Sequence, residues 1–85
     1  MEIIDHNFFR DNRGYLKKIY SSALIHKYPV LKNIKETFFS YSKPGVIRGL
    51  HYQKPPYNHV KLVTVLEGSI IDVTVNIDPT SPNYG

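Results

Sequence analysis

A histidine, a lysine and an arginine lie close together in one stretch of this chain that is predicted to be β structure. Arg48 and His51 belong to the string Gly-Val-Ile-Arg-Gly-Leu-His-Tyr-Gln at positions 45–53, and Lys61 follows. An imidazole titrates near neutral pH and can accept a proton, and a fixed ammonium stabilises negative charge that develops on an oxygen. These residue types are suited to removing a proton from a carbon next to a ketone.

The elements that must position these residues are predicted to be mostly strands. Turn residues at 11–14 lead into a strand at 15–20, and the only helical piece expected is a turn or two within 21–31, capped by Ser21 or Ser22. The remaining predicted strands, separated by turns rich in Pro and Gly, are 35–42, 46–53, 59–66 and 69–77.

The last two predicted strands have the most regular alternation of apolar and polar residues. If 67–68 is a two-residue hairpin loop, Lys61 lies opposite Thr74 and becomes a diagonal neighbour of Asp72. One face of this hairpin is then apolar and must be covered, and the other carries a charged pair beside which a ligand can sit. The interior of a barrel or sandwich would supply such a place.

Length and composition set limits on the function. The chain has 85 residues, enough for one domain at most, with a formal net charge of +4 and no cysteine. The basic residues are dispersed, which favours a small phosphorylated ligand over nucleic acid. No apolar run is long enough to span a membrane, and Met1-Glu2 opens without a signal region, so a cytoplasmic setting is expected.

The spacing of Gly45, His51 and Gln53, and later of Lys61 and Gly68, resembles the first cupin motif with a lengthened middle. Gln53 stands where a metal-binding cupin has a second histidine, and Lys61 stands where it has a glutamate. A permanent cation among the ligand positions opposes binding of a metal cation. We therefore expect no metal.

The motifs together resemble the dTDP-4-dehydrorhamnose 3,5-epimerase family, whose members are cupin-type jelly rolls that act without metal or other cofactor on nucleotide-linked 4-keto-6-deoxy sugars. The resemblance runs nearly from end to end. The matching segments are 11–15, 40–42, 45–53, 61–63, 68, 72–73 and 81–85.

This resemblance implies a role for each matching residue. His51 corresponds to the base that removes the proton from the carbon next to the 4-keto group, and Lys61 to the group beside the keto oxygen. Asp72 corresponds to the acidic residue that supports the lysine. Arg13 and Arg48 correspond to residues near the nucleotide diphosphate, where a planar fork of donors fits phosphate oxygens.

The chain also departs from the family pattern. Glu36 and Phe38 occupy nucleobase-region positions where the family usually has Gln and Asn, so the nucleotide that is read stays open. We take Glu36 and Gln53 as further candidates for substrate contacts. Two other functions also stay open: a sugar-nucleotide-binding pseudoenzyme and a cupin 3,4-ketoisomerase, although the Arg-Gly-Leu-His-Tyr-Gln string favours the epimerase.

The fold class implied by the resemblance is all-β, with residues 1–85 forming the amino-terminal half of a jelly roll and a homodimer as the family's habit. In the family, the other half supplies a tyrosine that acts as acid on the far side of the sugar. We therefore expect the 85 residues by themselves to be inactive as an epimerase in dTDP-rhamnose synthesis.

Overall fold

The computed structural model describes residues 1–5 and 8–85. The chain divides into two compact units. Unit one consists of Met1–Lys18 together with Thr64–Gly85, and unit two consists of Ile19–Val63. Each unit is described by itself below.

Unit one contains an antiparallel hairpin of two strands, β1 (Phe8–Asp11) and β2 (Gly14–Lys17). Phe8 pairs with Lys17, and Asp11 pairs with Gly14 across the two-residue loop. Gly14 has a φ of +135°, a backbone conformation that residues with a side chain rarely adopt. The predicted turn at 11–14 is confirmed, the strand after it is shorter than predicted, and β1 was not predicted.

Unit two contains the short helix α1 (Ser22–Lys27), which ends at Tyr28 and is followed by a 3-10 helix at Pro29–Asn33. The Ser21 hydroxyl accepts a hydrogen bond from the Leu24 backbone N–H at 3.2 Å and so caps the first turn. The predicted helix and its cap are confirmed.

Leu31, in the 3-10 helix, is the buried hydrophobic residue among the described residues, with 3% of its surface exposed. The Tyr20 hydroxyl donates to the Leu31 carbonyl at 3.1 Å and so ties the chain before α1 to the 3-10 helix that follows it. This small cluster is the most enclosed part of unit two.

The structure corrects the prediction of four strands after Asn33. Within the described ranges, residues 35–77 form no hydrogen-bonded strand, so the predicted strands 35–42, 46–53, 59–66 and 69–77 are wrong as paired elements. The turns between them do form. The Val46 N–H donates to the Lys43 carbonyl at 3.3 Å, and the Tyr57 N–H donates to the Lys54 carbonyl at 2.9 Å.

The physical reason lies in the range of the contacts. A turn closes by hydrogen bonds between residues three apart, whereas a strand needs hydrogen bonds to a neighbouring strand along its length. Here large apolar residues of the unpaired segments face solvent: Phe38 is 78% exposed and Ile71 is 94% exposed. The two-stranded antiparallel sheet, with the rest mostly coil, is consistent with an all-β chain, and the jelly roll stays a prediction.

Candidate functional site

Arg13 lies in the loop of the hairpin and is bound to Asp11 through three hydrogen bonds. Its backbone N–H donates to Asp11 Oδ1 at 2.8 Å, while its Nε and Nη2 donate to Asp11 Oδ2 at 3.1 and 2.6 Å. These bonds, first from the side chain and then from the backbone of Arg13, lower the pKa of the Asp11 carboxyl, and the same side-chain bond raises the pKa of Arg13. The guanidinium therefore has a fixed partner on one edge.

One face of the hairpin combines aromatic and cationic side chains. Directly paired residues share a face, and residues two apart on one strand do so too, so Phe8, Arg10, Tyr15 and Lys17 lie together. The Phe8 and Tyr15 rings stack with their centroids 5.0 Å apart, and the Arg10 guanidinium lies 5.3 Å from the Phe8 centroid. This face carries positive charge and aromatic surface but no acid.

Arg48, in unit two, is held by residues that precede it in the chain. Its Nε donates to the Ser42 hydroxyl at 2.9 Å, and its Nη2 donates to the Tyr41 carbonyl at 3.3 Å. Both acceptors are neutral, so the positive charge of Arg48 is not compensated by either of them. Its exposed guanidinium is available to an anion.

His51 lies three residues after Arg48 in unit two, where no helix or strand is assigned, and is exposed. Gly49 precedes it with a φ of +115°, and a Cβ at Gly49 would lie 3.2 Å from His51 Nδ1. Gln53, Lys61 and Glu36 are also exposed and also lie outside any assigned helix or strand. Unit two thus carries the predicted base and the predicted lysine without a strand that would fix either side chain.

Asp72 belongs to unit one, where it is exposed and lies outside any assigned helix or strand. The predicted pairing of Lys61 with Asp72 was argued from a hairpin of 59–66 with 69–77. Because that hairpin does not form, the argument from cross-strand register no longer holds. A contact between these two side chains stays a prediction.

Two general features of the described residues bear on ligands. Within 1–5 and 8–85, no three His, Cys, Asp or Glu side chains lie together in a way that could hold a metal ion. In the same part of the chain, no helix is long and apolar enough to cross a membrane.

The chain matches a family model over residues 1–85, and that model is described as dTDP-4-dehydrorhamnose 3,5-epimerase. The match covers the whole chain, including the hairpin, the string at 45–53 and Lys61. The chain belongs to the dTDP-4-dehydrorhamnose 3,5-epimerase family. The resemblance found in the sequence is therefore confirmed.

Curated relatives from bacteria and an archaeon carry the same family name. The Shigella flexneri dTDP-4-dehydrorhamnose 3,5-epimerase is 35% identical over an alignment of 88 positions, which covers 98% of this chain and 46% of the relative. The Escherichia coli (strain K12) protein is 36% identical over 98% of this chain and 45% of its own length, and the Methanothermobacter thermautotrophicus protein is 34% identical over 98% and 44%. The chain spans less than half the length of these relatives. No solved structure matches it.

Two residues contact the candidate arginines but were not among the candidate site residues predicted from the sequence. Asp11 could have been found, because an aspartate that opens a turn commonly accepts a hydrogen bond from the backbone two residues on. Ser42 could not, because nothing in its position six residues before Arg48 indicates a contact. Asp11 contacts Arg13 in unit one, and Ser42 contacts Arg48 in unit two.

Proposed function

We propose that this protein acts on a nucleotide-linked 4-keto-6-deoxy sugar as a 3,5-epimerase, converting dTDP-4-dehydro-6-deoxyglucose to dTDP-4-dehydrorhamnose in dTDP-rhamnose synthesis. The observation that carries the proposal is the family match over all 85 residues, which includes the string at 45–53 and Lys61. The jelly-roll cupin fold, a homodimer and a cytoplasmic setting are parts of the same proposal, and each is supported by the family resemblance.

In this proposal His51 is the base. Its imidazole takes a proton from the carbon next to the 4-keto group, the electron pair of that C–H bond becomes the C=C bond of the enolate, and the C=O π pair moves to the keto oxygen. The Lys61 ammonium donates to this oxygen as its negative charge develops, which lowers the barrier. Asp72 keeps the lysine charged and aimed. No cofactor is required for these steps.

Arg13 and Arg48 bind the diphosphate. A guanidinium offers several N–H donors in one plane, which matches the oxygens of a phosphate group. Arg13 is 90% exposed in its side chain, and the acceptors that hold Arg48 are neutral. Glu36 and Gln53 are proposed to contact the sugar nucleotide, with Glu36 near the base.

Inversion also needs a proton returned from the opposite face of the sugar. The resemblance assigns this acid to no residue among the 85, so we expect the chain to form the enolate and to return the proton to the same face. The expected activity is therefore exchange of the carbon 3 or carbon 5 hydrogen with solvent, with little inversion.

The experiment is deuterium incorporation from D₂O into dTDP-4-dehydro-6-deoxyglucose, followed by NMR. We expect exchange at carbon 3 or 5 that His51→Asn abolishes and that Lys61→Met slows, because the substitution removes the donor to the developing oxyanion. Lys54→Met is the matched control, because it removes the same charge outside the proposed site. Binding of the sugar nucleotide without exchange would overturn the epimerase role and leave a binding-only protein.

A further inference from the structure

The Asp11 carboxylate uses both of its oxygens on Arg13. Oδ1 accepts the Arg13 backbone N–H, which fixes the carboxylate in the turn, and Oδ2 accepts Nε and Nη2 of the side chain. Asp11 itself is fixed by the strand register, since it is the last residue of β1 and pairs with Gly14. The guanidinium is therefore anchored to the backbone of the hairpin through one side chain.

The contact leaves a defined part of the guanidinium free. Asp11 occupies the edge formed by Nε and Nη2, while both N–H groups of Nη1 and one N–H of Nη2 make no hydrogen bond to the described residues. The free edge formed by Nη1 and Nη2 has the spacing that accepts two oxygens of one phosphate. The Arg13 side chain is 90% exposed, so this edge is open to a ligand.

An arginine side chain that is free in solution loses rotamer freedom when it binds a ligand, and this ordering reduces affinity. Here the ordering is already present in the hairpin. We propose that Asp11 is a positioning residue that presents the Nη1–Nη2 edge of Arg13 to the diphosphate of a nucleotide sugar. The inference rests on the proposed function, because it assumes that Arg13 binds a diphosphate.

A second effect of Asp11 has the opposite sign. Its negative charge lies beside the guanidinium and repels an approaching phosphate, so removing it would strengthen binding if electrostatics alone mattered. Both groups are exposed, so solvent and salt screen this repulsion, whereas the geometric restraint acts through short hydrogen bonds. We therefore expect positioning to dominate, and the sign of the change in affinity distinguishes the two effects.

The experiment measures the binding of dTDP to the full chain by calorimetric titration. Asp11→Ala is expected to weaken binding about fivefold, the effect of leaving one rotamer-rich side chain to be ordered by the ligand. In an Arg13→Ala background the same substitution is expected to change nothing. Asp78→Ala is the matched control, since it makes the same change in net charge in a separate turn, where Asp78 accepts from Thr80.

Asp11→Asn separates positioning of the side chain from support of the turn. Asparagine keeps an oxygen for the Arg13 backbone N–H but replaces Oδ2 with a donor that cannot accept from the guanidinium. If Asp11 positions Arg13, Asp11→Asn weakens dTDP binding as Asp11→Ala does, and the NMR signal of the Arg13 Nε–H group exchanges faster with water in both variants. Asparagine that restores both readouts would show a role in the turn only and would overturn the proposal.

Two other outcomes contradict the proposal in different ways. Tighter binding in Asp11→Ala, with Asp78→Ala unchanged, would show that the carboxylate only repels the ligand. If the unmodified chain binds dTDP and Arg13→Ala weakens it, but Asp11→Ala has no effect, the positioning role fails and the proposed function stands. If the unmodified chain binds no dTDP, the proposed nucleotide site fails, and the positioning role fails with it.

Discussion

Two parts of the chain have the sequence pattern of a hairpin, and only one of them forms it. The segment Phe8–Lys17 has a polar turn with a glycine and pairs in register as β1 and β2. The segment 59–77 has a more regular alternation and the loop Glu67-Gly68, yet it forms no paired strand. Regular alternation of apolar and polar residues was therefore a weaker predictor of a paired hairpin than a polar turn with a glycine.

The difference lies in how much of each hairpin is held by near neighbours. The first is closed by Asp11 and Arg13 across the turn and by the stacked rings of Phe8 and Tyr15. In the second, Ile71 lies on the predicted apolar face and is 94% exposed. The observed hairpin and the predicted one both have a two-residue loop, so the cost of loop closure is similar and does not separate them; the contacts that hold the first hairpin do.

The same difference, between parts held by local contacts and parts without strand pairing, separates the candidate residues into two groups. Arg13 is positioned by contacts within its own hairpin, and Arg48 by residues six and seven positions earlier. His51, Lys61 and Asp72 lie on segments without strand pairing. The groups proposed to bind the diphosphate are thus placed by local contacts, while the groups proposed to move the proton lie on segments that no strand pairing holds.

The substitution expected to have the largest effect on the first hairpin is Gly14→Val. Gly14 has a φ of +135° in the hairpin, and a residue held in such a region costs about 1–3 kcal/mol. We expect the cross-strand NOEs between β1 and β2 to disappear. Gly68→Val is the matched control, because Gly68 also has a positive φ, of +79°, and a Cβ at either glycine meets no atom within 4 Å. A hairpin that survives Gly14→Val would show that the turn is not what closes it.

A smaller effect is expected from Ser21→Ala. The Ser21 hydroxyl caps α1, and loss of such a cap costs about 1 kcal/mol, which is large for a helix of six residues. The helical Cα chemical shifts of Ser22–Lys27 should move toward coil values. Ser22→Ala, one position later, should leave them unchanged. If both substitutions have the same effect, the cap is not the source of the stability of α1.

The smallest expected effect is the pH dependence of the first hairpin. Because the pKa of Asp11 is lowered in the folded hairpin, its stabilisation is complete above the ordinary value of 3.8 and is lost as the pH falls through the folded value. The chemical shifts of β1 and β2 should follow this loss, and in Asp11→Asn they should stay flat. Hairpin shifts that titrate equally in both proteins would assign the transition to another group.

The sequence predicted those features that depend on a few neighbouring residues. The Ser21 cap, the turn at 11–14 and the turn after Lys43 all follow from residue types that favour them locally, and all three form. The family, and His51 and Lys61 as candidate residues, were predicted from the spacing of the motifs, which is read from the sequence itself. The register between 59–66 and 69–77 could not be predicted, because strand pairing depends on what covers the apolar face.

Backbone amide hydrogen exchange, followed by NMR on the full chain, tests the central claim that the local hairpin is paired and that the segment bearing the proton-transfer residues is not. We predict measurable protection of paired amides in Phe8–Asp11 and Gly14–Lys17, and exchange at the rates of an unpaired chain throughout 59–77. Protected amides alternating along 59–66 and 69–77 would contradict the account, because they would show that the second hairpin forms and restore the argument that Lys61 and Asp72 face each other.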